Sequence, residues 1–389
     1  MNKWIIKQTI KNILNKFNLL QRPWWTPPSS SLIVDLHSDF SGSYTEIYPG
    51  CVNTLLAPNV LGAPNFTFMA APIDSFASIG VYQLDNATVC CSFGVVMDAN
   101  CKIITQTSWN RVSPADIRLP FPPEKLTQHN LIGVTASIAT ESSDGNYGHF
   151  LLDSVGRLAI LKKFSPNFAN EIDHFIVSGP QKSWKIRLLS NFGVPSEKIV
   201  WIDDNSKYRC DILLVTSFPG AKRTYPAWLS DFFRQSNAGK NSLDAPPSHQ
   251  TKRRLFFVRK GTGRQLKNEQ ALFELAKRYN FERYVPEESE DSLYDFRQAE
   301  AVIAPHGAGL ADIAFMEPGS KVIELMPSDH RHCYFFTLAK AASLEYTVIV
   351  GKSDGERGND AWGPSPFDFS INEEHLNIIL KSYFPIVKE

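Results

Sequence analysis

The chain has 389 residues, enough for two domains of ordinary size, each able to bury its own core. Its 40 basic and 40 acidic residues cancel, so no global field marks a nucleic-acid partner and specificity has to come from a local site. Six cysteines without paired CxxC spacing argue against a disulfide framework or a zinc ribbon and fit a reducing cytosol.

Taken in chain order, residues 1–25 read as a basic amphipathic helix. Lys3, Lys7, Lys11, Lys16 and Arg22 stand without an acidic residue, while Ile6, Ile10, Ile13, Phe17 and Leu20 share one stripe. The interrupting lysines and the lack of a small-residue cleavage site argue against a secretory signal. Two readings stay open: a helix on an anionic membrane surface, with Trp4, Trp24 and Trp25 at the interface, or one packed on the protein itself. No stretch has the roughly 18–20 continuous apolar residues of a spanning helix. Residues 23–31 (PWWTPPSSS) form a Pro/Ser-rich break. From Leu32 to about residue 130, short apolar runs such as 87–96 alternate with turn residues and predict strands.

After that, Phe150 to Phe164 has helical periodicity, Ile172 to Val177 and Lys198 to Ile202 read as strands, and Lys182 to Phe192 as the helix between them. Residues 235–252 are polar, Pro-containing and aperiodic, an interdomain linker between a 32–234 domain and a 253–365 domain. The second domain reads as strand Leu255 to Val258, helix Lys267 to Tyr279, strand Tyr284-Val285, helix Ser292 to Ala299 and strand Ala301 to Ala304. A short helix from Ala308 follows, then strand Val322 to Leu325, helix Phe335 to Ala342 and strand Tyr346 to Val350. Such alternation predicts an α/β fold with a parallel sheet. Residues 366–389 carry a final amphipathic helix, Asn372 to Tyr383, free to return to the N-terminal domain.

Three segments carry candidate chemistry. Around His306, Gly307, Ala308, Gly309 and Leu310, a buried strand enters a glycine-bearing turn and a helix start, which can present N–H groups to a phosphate or be a tight turn with no ligand. The strand Leu255 to Val258 delivers Arg259, Lys260 and Arg264 in a loop at its carboxyl end, where open α/β sheets bind ligands; the implied ligand is an anion, and the alternative is a solvated loop. In the other half a glycine-rich loop enters a helix with His149 and Asp153 at i and i+4 and Arg157 a turn further, on one face, with Asn146 just before them. A histidine oriented by a carboxylate can act as a general base; a backbone-bonded helix start is the alternative. Glu324, at a strand end, can accept from ribose hydroxyls or cap a turn. The run His330-Arg331-His332-Cys333 reads as a polar loop before a helix, since adjacent residues rarely converge on one ion.

The segments "NYGHFLLDSVGRL", "FVRKGTGRQLKNEQALFEL" and "AEAVIAPHGAGLADIAFMEPGSKVIELMP" together resemble glycosyltransferase family 61, which includes plant xylosyltransferases, animal N-acetylglucosaminyltransferases and bacterial homologues associated with surface polysaccharides. The resemblance covers residues 146–327. It implies a GT-B-like architecture, two Rossmann-like domains facing a cleft, and an inverting transfer from a nucleotide sugar, such as a UDP-sugar, to a glycan or lipid-linked saccharide, with no cofactor and no metal. It places Arg259, Lys260, Arg264, Glu324 and the 306–310 turn on the donor, and His149 or Asp153 as base. Residues 1–130 carry no part of it, and acceptor choice is expected there. The resulting expectation is a cytoplasmic enzyme, peripheral on the inner membrane face through residues 1–25.

Overall fold

A computed structural model describes residues 40–52, 57–69, 75–108, 121–221, 224–236, 252–260, 264–357 and 365–385, together with 72, 119 and the backbone of 32–33. The helix expected over 1–25, the break at 23–31, residues 237–251 of the linker and Gly261 to Gly263 lie outside these residues.

The protein is built on two large sheets. One end of the first consists of four parallel strands, β1 (Thr127–Ser137), β2 (His174–Ser178), β3 (Ile199–Ile202) and β4 (Ser206–Thr216), in spatial order β4-β1-β2-β3 with β3 at the edge. Strands Ile79–Asp85 and Thr88–Cys90 run antiparallel to β4, and Gly42–Tyr48 pairs beyond the first of them. Asn86 makes this return possible by taking a φ of 53°, a left-handed conformation that asparagine tolerates in tight turns. The first half is therefore a mixed sheet rather than a wholly parallel Rossmann-like one.

Between β1 and β2 runs a broken helix: α1 (Tyr147–His149), a π-turn over Phe150–Val155, and α2 (Arg157–Phe164). The Gly156 N–H reaches back to the Leu151 carbonyl, five residues away, which inserts an extra residue into the turn. A methyl group on Gly156 would lie 2.2 Å from the Leu152 oxygen, so glycine is required there. After a single helical turn at Phe168–Glu171 come two longer helices, α3 (Ser183–Asn191) and, after β4, α4 (Ala227–Gln235).

The second sheet has the predicted alternation: β5 (Arg253–Phe257), α5 (Glu269–Lys277), β6 (Glu282–Tyr284), α6 (Ser292–Gln298), β7 (Ala299–Pro305), a 3₁₀ helix (Ala308–Phe315), β8 (Lys321–Pro327), α7 (Tyr334–Ala341) and β9 (Glu345–Ser353). Its order is β6-β5-β7-β8-β9, all parallel, with Phe369–Ser370 antiparallel beside the end of β9. Val302 to Ala304 and Val322 to Leu325, except lysine-flanked ends, are apolar runs or Glu324 and are fully buried, as expected of parallel strands covered on both faces.

Two boundaries differ from expectation. Asn59–Leu61, deep in the presumed N-terminal domain, joins the second sheet by pairing in parallel with Thr347 to Ile349 of β9. The last helix, α8 (Glu373–Tyr383), does not return to the first half: Leu376, Ile379 and Leu380 pack with Phe256, Leu272 and Ile303 against the second sheet. The halves share one continuous core, in which Phe192 and Phe233 meet Phe315 at ring distances of 6.4 and 5.2 Å. Arg297 of α6 reinforces the joint by donating to the carbonyls of Phe233 and Arg234 at 2.8 Å.

Candidate active site

In the second sheet the chain first steps outward from β5 to β6, then crosses to β7 on the other side of β5. That reversal opens a crevice between the carboxyl ends of β5 and β7, the usual ligand position of a doubly wound sheet. The Arg259 loop leaves one lip and the His306 turn the other. A cleft of about 680 Å³ begins there, lined on this side by Arg259, Lys260, Gly307, Ala308 and Gly309 and on the opposite side by Trp184 and Arg187 of α3.

The turn divides its labour. Gly307 is extended, and a methyl group there would meet only the Pro305 oxygen at 3.8 Å, so its floor is open. Ala308 and Gly309 begin the 3₁₀ helix, where N–H groups have no intrahelical acceptor. Gly309 also makes room for Phe257, whose ring would lie 2.6 Å from an added methyl. Leu310 is not a ligand-facing residue: its side chain is in the shared core and its N–H bonds the Gly307 oxygen at 3.0 Å.

Arg259 lines the cleft, and its buried Nη1 has no hydrogen-bond partner among the described residues. Burial lowers its pKa, against the opposing pull of Glu287. Arg264 lies at a φ of 53°; burial and the charges of Arg259 and Arg357 push its pKa down to about 10. The guanidinium groups of Arg259, Arg264 and Arg357 thus repel one another, which an anion would relieve; of the three, Arg259 lines the cleft. Lys260 stands at the rim, paired with Glu288.

In the first half, the Asp153 carboxylate is buried and holds the His149 Nδ1 at 2.6 Å, with the Tyr225 hydroxyl donating to its other oxygen at 3.4 Å. The His149 ring meets Tyr334 of α7 edge-on at 6.1 Å. Asn146 is the helix cap, its side-chain oxygen accepting from the His149 N–H at 3.2 Å. Arg157 is not in the cleft. The π-turn rotates it away from His149 and Asp153, and it is 1% exposed, donating to the carbonyls of Thr216 at 2.9 Å and Thr107 at 2.5 Å.

Glu324 likewise does not face a ligand. It is 0% exposed, and its two oxygens are held by His306 Nδ1 and the Tyr346 hydroxyl. It orients His306, which stacks edge-on against His330 at 5.0 Å. The 330–333 run is the predicted connection into α7, yet His330 and His332 are buried in it, 4.3 Å apart. Arg357 donates to His330 Nδ1 at 2.7 Å and pairs with Asp329. Burial and the surrounding cations drive the His330 pKa far down, so the ring is neutral.

The two halves meet at this site. A methyl on Gly148 would stand 3.4 Å from the Ala308 oxygen, so the His149 turn rests on the anion-suited turn. Beside this contact, the Tyr147 hydroxyl donates to Asp312 at 2.5 Å. Burial raises the Asp312 carboxyl to about 7. Trp184 and Arg357 carry no local signal in the sequence, and Tyr147 and Asp312, though inside the resembling segments, have no role assigned there; Asp312 lies within the helix that follows the glycine turn.

Among the described residues, no group of three or more His, Cys, Asp and Glu side chains is placed to hold a metal ion, and no helix is long and apolar enough to cross a membrane. Residues 147–323 match the family model described as Glycosyltransferase 61. No curated protein matches the chain.

Proposed function

Because the chain belongs to glycosyltransferase family 61 and is a glycosyltransferase, we propose that it moves a sugar with inversion from a nucleotide sugar, a UDP-sugar first among them, to a saccharide acceptor. The observation that carries this reading is the seating of Gly148 on Ala308, which brings the turn of a carboxylate-oriented histidine against the Gly307 to Gly309 turn. The two α/β halves then act as the facing domains of a GT-B-like enzyme.

The donor's diphosphate lies against Arg259, Arg264 and the Gly307 to Gly309 turn, with Lys260 at the rim. The acceptor hydroxyl attacks the anomeric carbon from the side opposite the phosphate oxygen. The new C–O bond forms as the carbon–phosphate-oxygen bond breaks, and the hydroxyl proton passes to His149 Nε2. Asp153 holds the Nδ1–H and stabilises the imidazolium, while the guanidinium groups take up the charge of the leaving nucleoside diphosphate. In this reading the arginines supply the charge neutralisation without a metal or cofactor. The acceptor is a glycan or a lipid-linked saccharide of bacterial surface polysaccharide synthesis, reached at the inner membrane face from the cytoplasm through the basic 1–25 segment.

The test is transfer assayed with donor binding measured separately. His149→Ala lowers turnover by about 10²- to 10⁴-fold and leaves nucleoside diphosphate binding in place, whereas Arg259→Ala and Arg264→Ala weaken that binding. Full transfer by His149→Ala removes the proposed base.

A further inference from the structure

Just ahead of the His149 helix, Asp144 is held by a buried cation that the transfer itself does not use. Lys185 of α3 is fully buried, and its ammonium donates to the carbonyls of Asp144 at 2.9 Å and of Ser178, the last residue of β2, at 2.8 Å. Three rings enclose it, Phe150 at 5.0 Å and Trp184 and Trp201 at 5.8 Å. Burial and the charge of Lys182, against the opposing pull of Asp144, push its pKa down to about 8. A buried ammonium without a paired carboxylate is costly, and an apolar side chain of similar length would fill the same cage at less cost. What the lysine alone supplies is a bridge between two carbonyls of separate segments.

The Ser142 to Asn146 turn closes on itself. Ser142 takes a φ of 64°, and its carbonyl accepts from the Asn146 N–H at 3.2 Å. Two contacts fasten this turn to the end of β2: Ser143 Oγ meets Ser178 Oγ at 2.8 Å, and Lys185 holds Asp144. Gly145 borders the cleft unbraced, since an added methyl group there would meet nothing within 4 Å. Asn146 then caps the helix by accepting from the His149 N–H, and its carbonyl accepts from the Phe150 N–H at 2.9 Å. Among the described residues, Lys185 is therefore the last hydrogen-bonded tie to the first sheet before the residues that set the start of the His149 helix.

We propose that Lys185 is a positioning residue for the transfer: by clamping Asp144 to the end of β2, it fixes the turn that caps the His149 helix and with it the place of the His149 ring. This rests on the reading of His149 as the base. Because α3 also presents Trp184 and Arg187 to the cleft, the lysine joins the cleft wall and the base's turn into one unit.

The experiment is nuclear magnetic resonance of the full chain with ring-labelled histidine, the His149 signal being picked out of nine by His149→Ala and the His306 signal by His306→Ala. Lys185→Met fills the cage and has no donor. It is expected to shift or broaden the His149 signal and to leave in place that of His306, which Glu324 holds in the other half. Turnover in the transfer assay falls by about 10- to 100-fold, as for a misplaced group, with the affinity for uridine diphosphate unchanged. Lys185→Arg, which keeps the charge and the donors, restores both readouts. A His149 signal that Lys185→Met leaves in place, or one that moves together with that of His306, overturns the proposal. Where Lys185→Met does not fold, wild type titrated from about pH 7 to about pH 10 decides. The His149 signal then steps near pH 8 as the ammonium loses its proton, and Lys185→Arg lacks that step. The charged groups acting on the ammonium are Lys182, ahead of α3, and Asp144; Asp312, across Tyr147, titrates at about 7 in both proteins. No step near pH 8, or the same step in Lys185→Arg, overturns the proposal. Full transfer by His149→Ala removes the base whatever Lys185→Met does to the signal, whereas loss of transfer in His149→Ala with an unmoved signal in Lys185→Met removes the positioning role alone.

Discussion

Tyr147 and Asp312, 165 residues apart in sequence, form a 2.5 Å hydrogen bond that ties the His149 turn of one half to the phosphate-suited helix of the other. Asp312 is fully buried at this joint, so its carboxyl retains its proton to about pH 7 in the folded protein.

That raised value fixes the sign of a pH effect. Folding binds a proton more tightly than the unfolded chain does, so the contribution is complete below about pH 4 and is lost as pH rises through about 7. Asp312→Asn keeps a hydrogen-bond acceptor and has no charge to bury. It is expected to gain on the order of 1–4 kcal/mol relative to wild type between pH 4 and pH 8. Thermal melts of both proteins at those two pH values measure it, and parallel curves would contradict the assignment.

His149→Ala is expected to lower kcat by about 10²- to 10⁴-fold with little change in the KM for donor. Asp153→Asn falls in the same direction, since it disturbs the orientation of the imidazole that His149 presents. Initial rates at saturating and subsaturating donor separate kcat from KM, and a pure KM effect would assign His149 to binding.

Arg157 belongs to the framework. Its guanidinium bridges the carbonyls of Thr107 and Thr216, so Arg157→Met leaves those buried acceptors without their donor. A loss of about 2–4 kcal/mol of stability follows, read by denaturant unfolding, with kcat of the remaining folded protein unchanged.

Gly307 and Gly309, two residues apart, respond differently to alanine. Gly309→Ala drives a methyl into the Phe257 ring and costs about 1–3 kcal/mol, relieved by adding Phe257→Leu. Gly307→Ala has open space around it and leaves stability within about 0.5 kcal/mol. Its effect appears as weaker binding of nucleoside diphosphate. Unfolding curves and titrations on the same samples distinguish the two.

The second sheet was the legible part of the sequence because its strands, covered on both faces, are short apolar runs between helices of clear period. β1 and β4 are not legible, since Thr127 to Asn130 are polar and exposed, Ser206 to Arg209 are polar or half-buried, and only the second halves of the strands are deeply buried. Within the site, the i,i+4 spacing of His149 and Asp153 gave their contact correctly. The same counting failed for Arg157, because the extra residue in the π-turn shifts every later side chain by about 100° around the axis. Glu324 was misread because a strand buried on both faces carries no alternation to say which way a side chain points. The Tyr147–Asp312 bond joins distant segments and leaves no periodic trace.

The strand Asn59–Leu61 has a consequence for how this molecule can be divided. The chain visits the second sheet there, goes back to complete the first, and only then returns through β5. A fragment beginning after residue 252 would lack the cover over Thr347 to Ile349 and present the bare edge of β9, a template for strand-to-strand aggregation. The half built on the second sheet is thus a spatial unit without being a sequence unit, and it cannot be excised with a single cut.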